Sequence, residues 1–258
     1  MVYTPSALSL VNAMQADSSI ADPRMDGGLD RRSTSVMPQQ HYEICYLSRD
    51  GEICRTRQVA PVLPLFQAAF TAFARGTLIA TTTGPVAIED LLPGDKIATN
   101  ERGPSPLMWI GSITLHPGAR DGPGLTRIMS EAMGMGRPMS DLLTGPGARI
   151  LQRLSGMGEE VLRPVQDLLD GMQVIELRPP SAVQLYHIAL RRHSTVTAAG
   201  LPMETFHPGP GFENTLPYQY FDQFMSLFPH IARPSEFGAL AHPRQPLRRR
   251  DGGGREVA

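Results

Sequence analysis

The chain has 258 residues, 41 % of them hydrophobic, and a formal net charge of −1. So even a balance excludes a whole-molecule field that would gather nucleic acid. Gly (25) and Pro (24) are abundant and charged residues make up only 19 %, a composition that favours many short strands and tight turns over long helices.

Residues 1–40 show no sustained periodicity, and ADPRMDGGLDRRSTS reads as a mobile arm. Runs of β-type side chains at Tyr42–Leu47 and Glu52–Val59 flank Arg49-Asp50-Gly51, a short-range hairpin signal. In PVLPLFQAAFTAF, Leu65, Ala68, Ala69 and Phe73 recur at helical spacing, so a short helix or apolar bridge is expected. From Gly76 to Phe206 the pattern is all-β. Strands are expected at Thr77–Thr81, Pro85–Ile88, Lys96–Thr99, Pro106–Ile110, Ser112–Leu115 and Leu125–Met129, then at Ala148–Arg153, Gln173–Arg178, Gln184–Leu190 and Thr195–Ala198. Turn chemistry separates them at Thr83-Gly84-Pro85, Pro93-Gly94-Asp95, Arg102-Gly103-Pro104 and Gly200. A helical insertion is expected at Arg163–Leu169, stopped by Gly171. The strongest helix lies at Tyr218–Phe228, where Phe221, Phe224, Met225 and Phe228 repeat at three and four before Pro229. The tail after about His242, rich in Pro, Arg and Gly, is expected to be disordered.

The segment FARGTLIATTTGPVAIEDLLPGDKIATNERGPSPLMWIGSITL carries Phe73, Gly76, Thr77, Gly84, Glu89, Gly94, Asp95, Trp109 and Gly111. It resembles the opening of a Hint domain, the fold of inteins and Hedgehog autoprocessing domains, and more narrowly that of the bacterial Hedgehog/intein-type family. DLLTGPGARIL (Asp141–Leu151) resembles the middle segment. LYHIALRRHSTVTAAGLPMETFHPG (Leu185–Gly209) resembles the closing one, with His187, His193, Glu204 and His207. The resemblance covers Thr71–Gly209. It implies a mainly β, Hint-like fold of many short strands, followed here by a short C-terminal helix. The expected division is an arm (1–40), a hairpin and apolar connector (41–70), the Hint-like domain (71–209), a helical extension (210–240) and a disordered tail (241–258).

In Hint autoprocessing a Cys or Ser at the first position attacks the preceding peptide carbonyl, and a middle-segment His helps expel the amide nitrogen. The resemblance puts Ala72 at the nucleophile position and Ala148 at the His position. A methyl group neither attacks a carbonyl nor moves a proton. The implied function is therefore a structural or binding module that has lost autoprocessing. The alternative is a self-cleaving domain with Thr71 or Thr77 as nucleophile, assisted by His187 or His193.

Other chemistry-bearing residues have plainer readings. Glu89 reads as a turn or capping carboxylate, and Trp109 needs a large apolar site with a partner for its N–H. His187, His193 and His207 with Glu204 would suit a zinc site, but no pair has a recognisable ligand spacing. The plain reading is that His187 and His193 satisfy buried backbone carbonyls while His207-Pro208-Gly209 turns the chain. Cys45 and Cys54 read as two buried thiols, with a disulfide across the hairpin as the alternative. Arg31-Arg32, Arg191-Arg192 and Arg248–Arg250 lack interleaved aromatics and read as solvated. Met133–Pro138 reads as a flexible loop, and Gly209-Pro210-Gly211 lacks the context of a phosphate-binding turn. No cofactor, nucleic-acid or membrane partner is expected, and a protein partner is left open. No apolar run is long enough to span a bilayer, and MVYTPSALSLVNAM lacks signal-peptide character. The default expectation is a cytoplasmic location, with signal-less secretion open.

Overall fold

The computed structural model describes residues 37–116, 124–153 and 158–246. The expectations for the arm before residue 37, for the tail after 246, and for Arg31-Arg32 and Arg248–Arg250 lie outside the described residues.

The hairpin forms where Asp50-Gly51 predicts it: β1 (Gln39–Leu47) pairs antiparallel with β2 (Ile53–Pro61), and Gly51 takes the positive φ of +85° that the turn requires. A five-residue helix follows, α1 (Pro64–Ala68), started by Pro64 in its first turn. The strands after it are short. They are β3 (Phe73–Ala74), β4 (Leu78–Thr81), β5 (Gly84–Ala87) and β6 (Lys96–Ile97). The long β7 (Ser105–Leu115) leads to β8 (Leu125–Ile128), β9 (Leu142–Thr144) and β10 (Arg149–Arg153). The closing part holds β11 (Glu160–Pro164), β12 (Val174–Leu177), β13 (Val183–Leu190), β14 (Thr195–Ala198) and β15 (Leu201–Glu204). Helix α2 (Tyr218–Ser226) comes last, on the predicted aromatic repeat.

Three departures from the sequence reading have physical causes. The two strands expected around Gly111 are one, β7, because β13 pairs with it continuously through Gly111. A Cβ at Gly111 would overlap the rings of Trp109 and Phe70, so the glycine marks a close approach rather than a break. The expected helix at Arg163–Leu169 is the end of β11 plus a 3-10 turn at Val165–Leu168, since β11 is drawn into pairing with β10. Strands β3, β9, β11 and β15 escaped the sequence reading. Two to five residues long, they exist through their neighbours' hydrogen bonds rather than through a pattern of their own.

Strand β7 is the central wall, with β13 on one side and β1 on the other. Alternation divides its side chains. Trp109 and Ile113 face one cluster with Tyr42, Phe66, Phe70, Phe206, Phe224 and Phe228. Ile110 faces a second cluster with Ile79, Ile97, Ile128, Ile188 and Val196. The Trp109 N–H donates to the Leu227 carbonyl at the end of α2 (2.8 Å), the partner that this indole needs. The hairpin, α1 and α2 thus share the aromatic core with the all-β part. Each fully buried aromatic contributes about 1.5–3 kcal/mol of gross burial free energy, and Tyr42, Phe66 and Phe70 together fasten residues 37–70 to the remainder.

The chain after Leu240 departs from the disordered tail expected from residue 241. Through residue 246 it is held as a strap, with Leu162 N–H on the Pro243 carbonyl (2.8 Å) and Gln245 N–H on the Leu162 carbonyl (2.9 Å). The two cysteines are free, each partly buried, and do not face each other. Cys45 pairs with Arg55 and Cys54 with Tyr46, so strand alternation sends the thiols to opposite faces of the hairpin. No helix among the described residues is long and apolar enough to cross a membrane.

Candidate functional site

The peptide bond between Thr71 and Ala72 lies at the entry to β3, clasped by the loop that leads into β10. Gly145 N–H donates to the Ala72 carbonyl (3.2 Å), and Gly147 N–H donates to the Thr71 carbonyl (3.1 Å). A Cβ at Gly145 would collide with the Thr71 carbonyl and one at Gly147 with that of Ala68, so the Gly-Pro-Gly sequence is what admits this clasp. The Ala72 N–H donates to the Tyr186 carbonyl (2.9 Å). Ala72 is wholly buried and Ala148 is 1 % exposed. The carbonyl of the Thr71–Ala72 bond, that of Thr71, therefore has a backbone donor aimed at it, the type of arrangement that stabilises charge developing on oxygen.

The hydroxyls nearby are engaged elsewhere. Thr71 donates to the Gln67 carbonyl (2.9 Å) and accepts from Gly147 N–H (3.1 Å), closing α1 onto the clasp. Thr77 donates to the Ala74 carbonyl (2.7 Å) and tightens the turn at Gly76. Glu89 holds the same turn, accepting from Gly76 N–H (2.8 Å) and from Arg75 (3.3 Å). Burial works to raise the Glu89 pKa, yet the Gly76 N–H and the Arg75 charge outweigh it and hold the carboxyl below its ordinary value.

The three histidines occupy different settings. His187 flanks the clasp, next to the Tyr186 carbonyl that Ala72 engages, with its ring edge-on to Phe73 and Phe206 (5.8 and 5.5 Å between centroids). Its Nδ1 accepts from Ile188 N–H (3.1 Å), which leaves the proton on Nε2. Complete burial pushes its pKa down to about 3. His193 accepts from Ala241 N–H at Nδ1 (2.9 Å) and donates from Nε2 to Glu204 (2.9 Å). His207 accepts from Gly209 N–H (2.9 Å) and donates to the Gly238 carbonyl (3.0 Å). The expected role of carbonyl partner thus falls to His207 and not to His187 or His193. Neither Nδ1 can meet a carbonyl, because each already accepts a backbone N–H.

Sequence reasoning grouped Glu204 with the histidines as a metal ligand and missed its ion pair with Arg244. Glu204, 2 % exposed, accepts from both His193 and Arg244 (2.7 Å), with Arg149 3.7 Å away. Burial works to raise its pKa, but His193 and Arg244 outweigh that and lower it. Arg244 also donates to the His207 carbonyl (2.7 Å), and His242 donates to Glu101 (3.1 Å). The strap is thus charge-anchored onto the closing block. Every ring nitrogen of His193 and His207 bonds to protein, and no three His, Cys, Asp or Glu among the described residues are grouped to hold a metal ion.

A family profile described as the Hint domain matches residues 71–210, more than half of the chain. The chain belongs to the Hint-domain family. Among solved structures, this Hint-domain protein is similar to a bacterial intein-like domain from Clostridium thermocellum. The identity there is 15 %, over 52 % of this chain and 98 % of that one, with a TM-score of 0.38. A mini-intein variant of Ssp DnaB matches at 13 % identity over 52 % of this chain and 90 % of that one, with a TM-score of 0.29. No curated protein matches.

Proposed function

We propose that this Hint-domain protein is a structural or binding module without self-cleavage. The observation that carries the reading is chemical. Around the clasped Thr71 carbonyl, the positions that the resemblance assigns to the nucleophile and to the proton donor are the buried methyl groups of Ala72 and Ala148. A polarised carbonyl without an attacking atom does not react. The sharing of one aromatic core by residues 37–70 and the domain supports the same reading, because the segment that processing would detach is part of the fold. On this reading 71–209 is the Hint domain, while 41–70 and 210–240 are additions packed onto it.

The test is the intact mass of the full chain under denaturing conditions after prolonged incubation, with and without hydroxylamine, which intercepts an ester. Denaturation matters because a cut chain would stay together through its shared core. One full-length mass in both samples is expected. A fragment ending at Thr71, or cleavage accelerated by hydroxylamine, would overturn the proposal and favour a Thr nucleophile.

A further inference from the structure

The outer strand of the hairpin, β2, is left with an open edge. Ser48 N–H donates to the Glu52 carbonyl (2.8 Å) and Val62 N–H to that of Pro38 (2.9 Å), which fixes both ends of the β1–β2 ladder. Hydrogen-bonded pairs recur at every second residue of an antiparallel ladder. Cys54, Thr56, Gln58 and Ala60 therefore turn their N–H and C=O groups toward β1, while Ile53, Arg55, Arg57 and Val59 turn theirs outward. The Val59 carbonyl agrees with this, since Gln223 of α2, and no residue of β1, donates to it (3.1 Å). Beyond Val59 the edge is uncovered. Strand β2 pairs with β1 alone, and among the described residues nothing bonds to the outward backbone groups of Ile53, Arg55 and Arg57. Such a row of free donors and acceptors is a template for a further strand.

The side chains say which strand. Those of Ile53, Arg55, Arg57 and Val59 share the face opposite the aromatic cluster, in the order apolar, arginine, arginine, apolar. Ile53 and Val59 are half exposed (49 % and 50 %), so the apolar ends of the row are open to a partner. Two copies of β2 do not suit each other. In two-fold antiparallel pairing, each register that matches Ile53, Arg55 and Arg57 to outward residues of the other copy sets arginine opposite arginine, which is repulsive. Glu43 pairs with Arg57 from the strand behind, but it does not lie on the edge. An acidic strand meets the same two positions with attraction.

We propose that the β2 edge takes an extended acidic segment of a partner protein, added antiparallel like the strand pairs already inside the sheet. The segment's backbone pairs with Ile53, Arg55 and Arg57. Carboxylates at two alternate positions oppose the arginines, and apolar side chains beside them oppose Ile53 and Val59. This gives the binding role proposed above its class of partner and rests on that role, while self-cleavage is read separately by the intact mass.

The alternation of the ladder supplies an internal control. Amide exchange of the isotope-labelled full chain is followed residue by residue by NMR, with and without acetyl-Val-Thr-Glu-Thr-Glu-Thr-Val-amide. Without peptide, the amides of Ile53, Arg55 and Arg57 are expected to exchange at least tenfold faster than those of Cys54 and Thr56. Millimolar peptide is expected to slow the outward amides at least threefold and to leave Cys54 and Thr56 unchanged. The peptide with lysine in place of glutamate, or with both glutamate nitrogens methylated, is expected to protect none of them. Arg55→Glu, at an exposed position, is expected to remove the preference for glutamate over lysine. Slow exchange at Arg55 and Arg57 before any peptide is added would mean an edge already filled, by the chain itself or a second copy, and would overturn the proposal. Unchanged exchange at millimolar peptide would overturn it too, as would equal protection by the lysine or the methylated peptide.

Discussion

Acidification places a defined load on His187. Its imidazole is completely buried, is packed edge-on between Phe73 and Phe206, and has its pKa pushed down from the ordinary 6.5 to about 3. A histidine with a folded pKa below its unfolded value binds more protons unfolded than folded, so falling pH favours the unfolded chain. The stabilisation is complete above about 6.5 and is lost progressively down to about 3. Between pH 7 and 4.5 this one residue costs about 2–3 kcal/mol, from 1.36 kcal/mol per pH unit over the part of the window crossed. His187→Asn keeps an acceptor for the Ile188 N–H and removes the titration. Urea denaturation of both proteins at pH 7 and 4.5 checks this. The variant is expected to be the less stable at pH 7, through lost packing, and to lose about 2–3 kcal/mol less than the parent on acidification. Parallel losses in the two proteins would refute the argument from burial.

Other perturbations follow from the same geometry. Gly111→Ala forces a methyl group into the rings of Trp109 and Phe70, and is expected to cost about 1–3 kcal/mol, read as a lowered melting temperature. Trp109→Phe strands the buried Leu227 carbonyl at the end of α2, with an expected loss of about 1–3 kcal/mol in chemical denaturation. Arg244→Gln removes the closest cationic partner of the buried Glu204 and is expected to cost about 3 kcal/mol, with faster amide exchange at Leu162 and Gln245 as the strap loosens. Melting curves that match the parent protein would show that the strap contributes nothing to the fold.

The sequence by itself determined what local chemistry can encode. Asp50-Gly51 predicts the hairpin, the Phe221–Phe228 repeat predicts α2, and Trp109 announces a large apolar site with a bonding partner. Three blocks of residues carry the family resemblance, and within them Ala72 and Ala148 are legible because what matters is the absence of a reactive atom, which needs no coordinates. Only the tertiary structure decided the rest. Strands as short as Phe73–Ala74 have no periodicity to read, and their partners lie up to 113 positions away, as in Phe73 against Tyr186. The strap looked like a solvated tail because Arg244 finds Glu204 across 40 positions, and a buried ion pair leaves no mark in either local sequence. Ile53, Arg55 and Arg57 were alternate residues of one expected strand until register turned their backbone groups outward. Turns, amphipathic faces and missing functional groups depend on near neighbours along the chain. Pairing, charge compensation and open edges depend on neighbours in space, and folding alone brings those together.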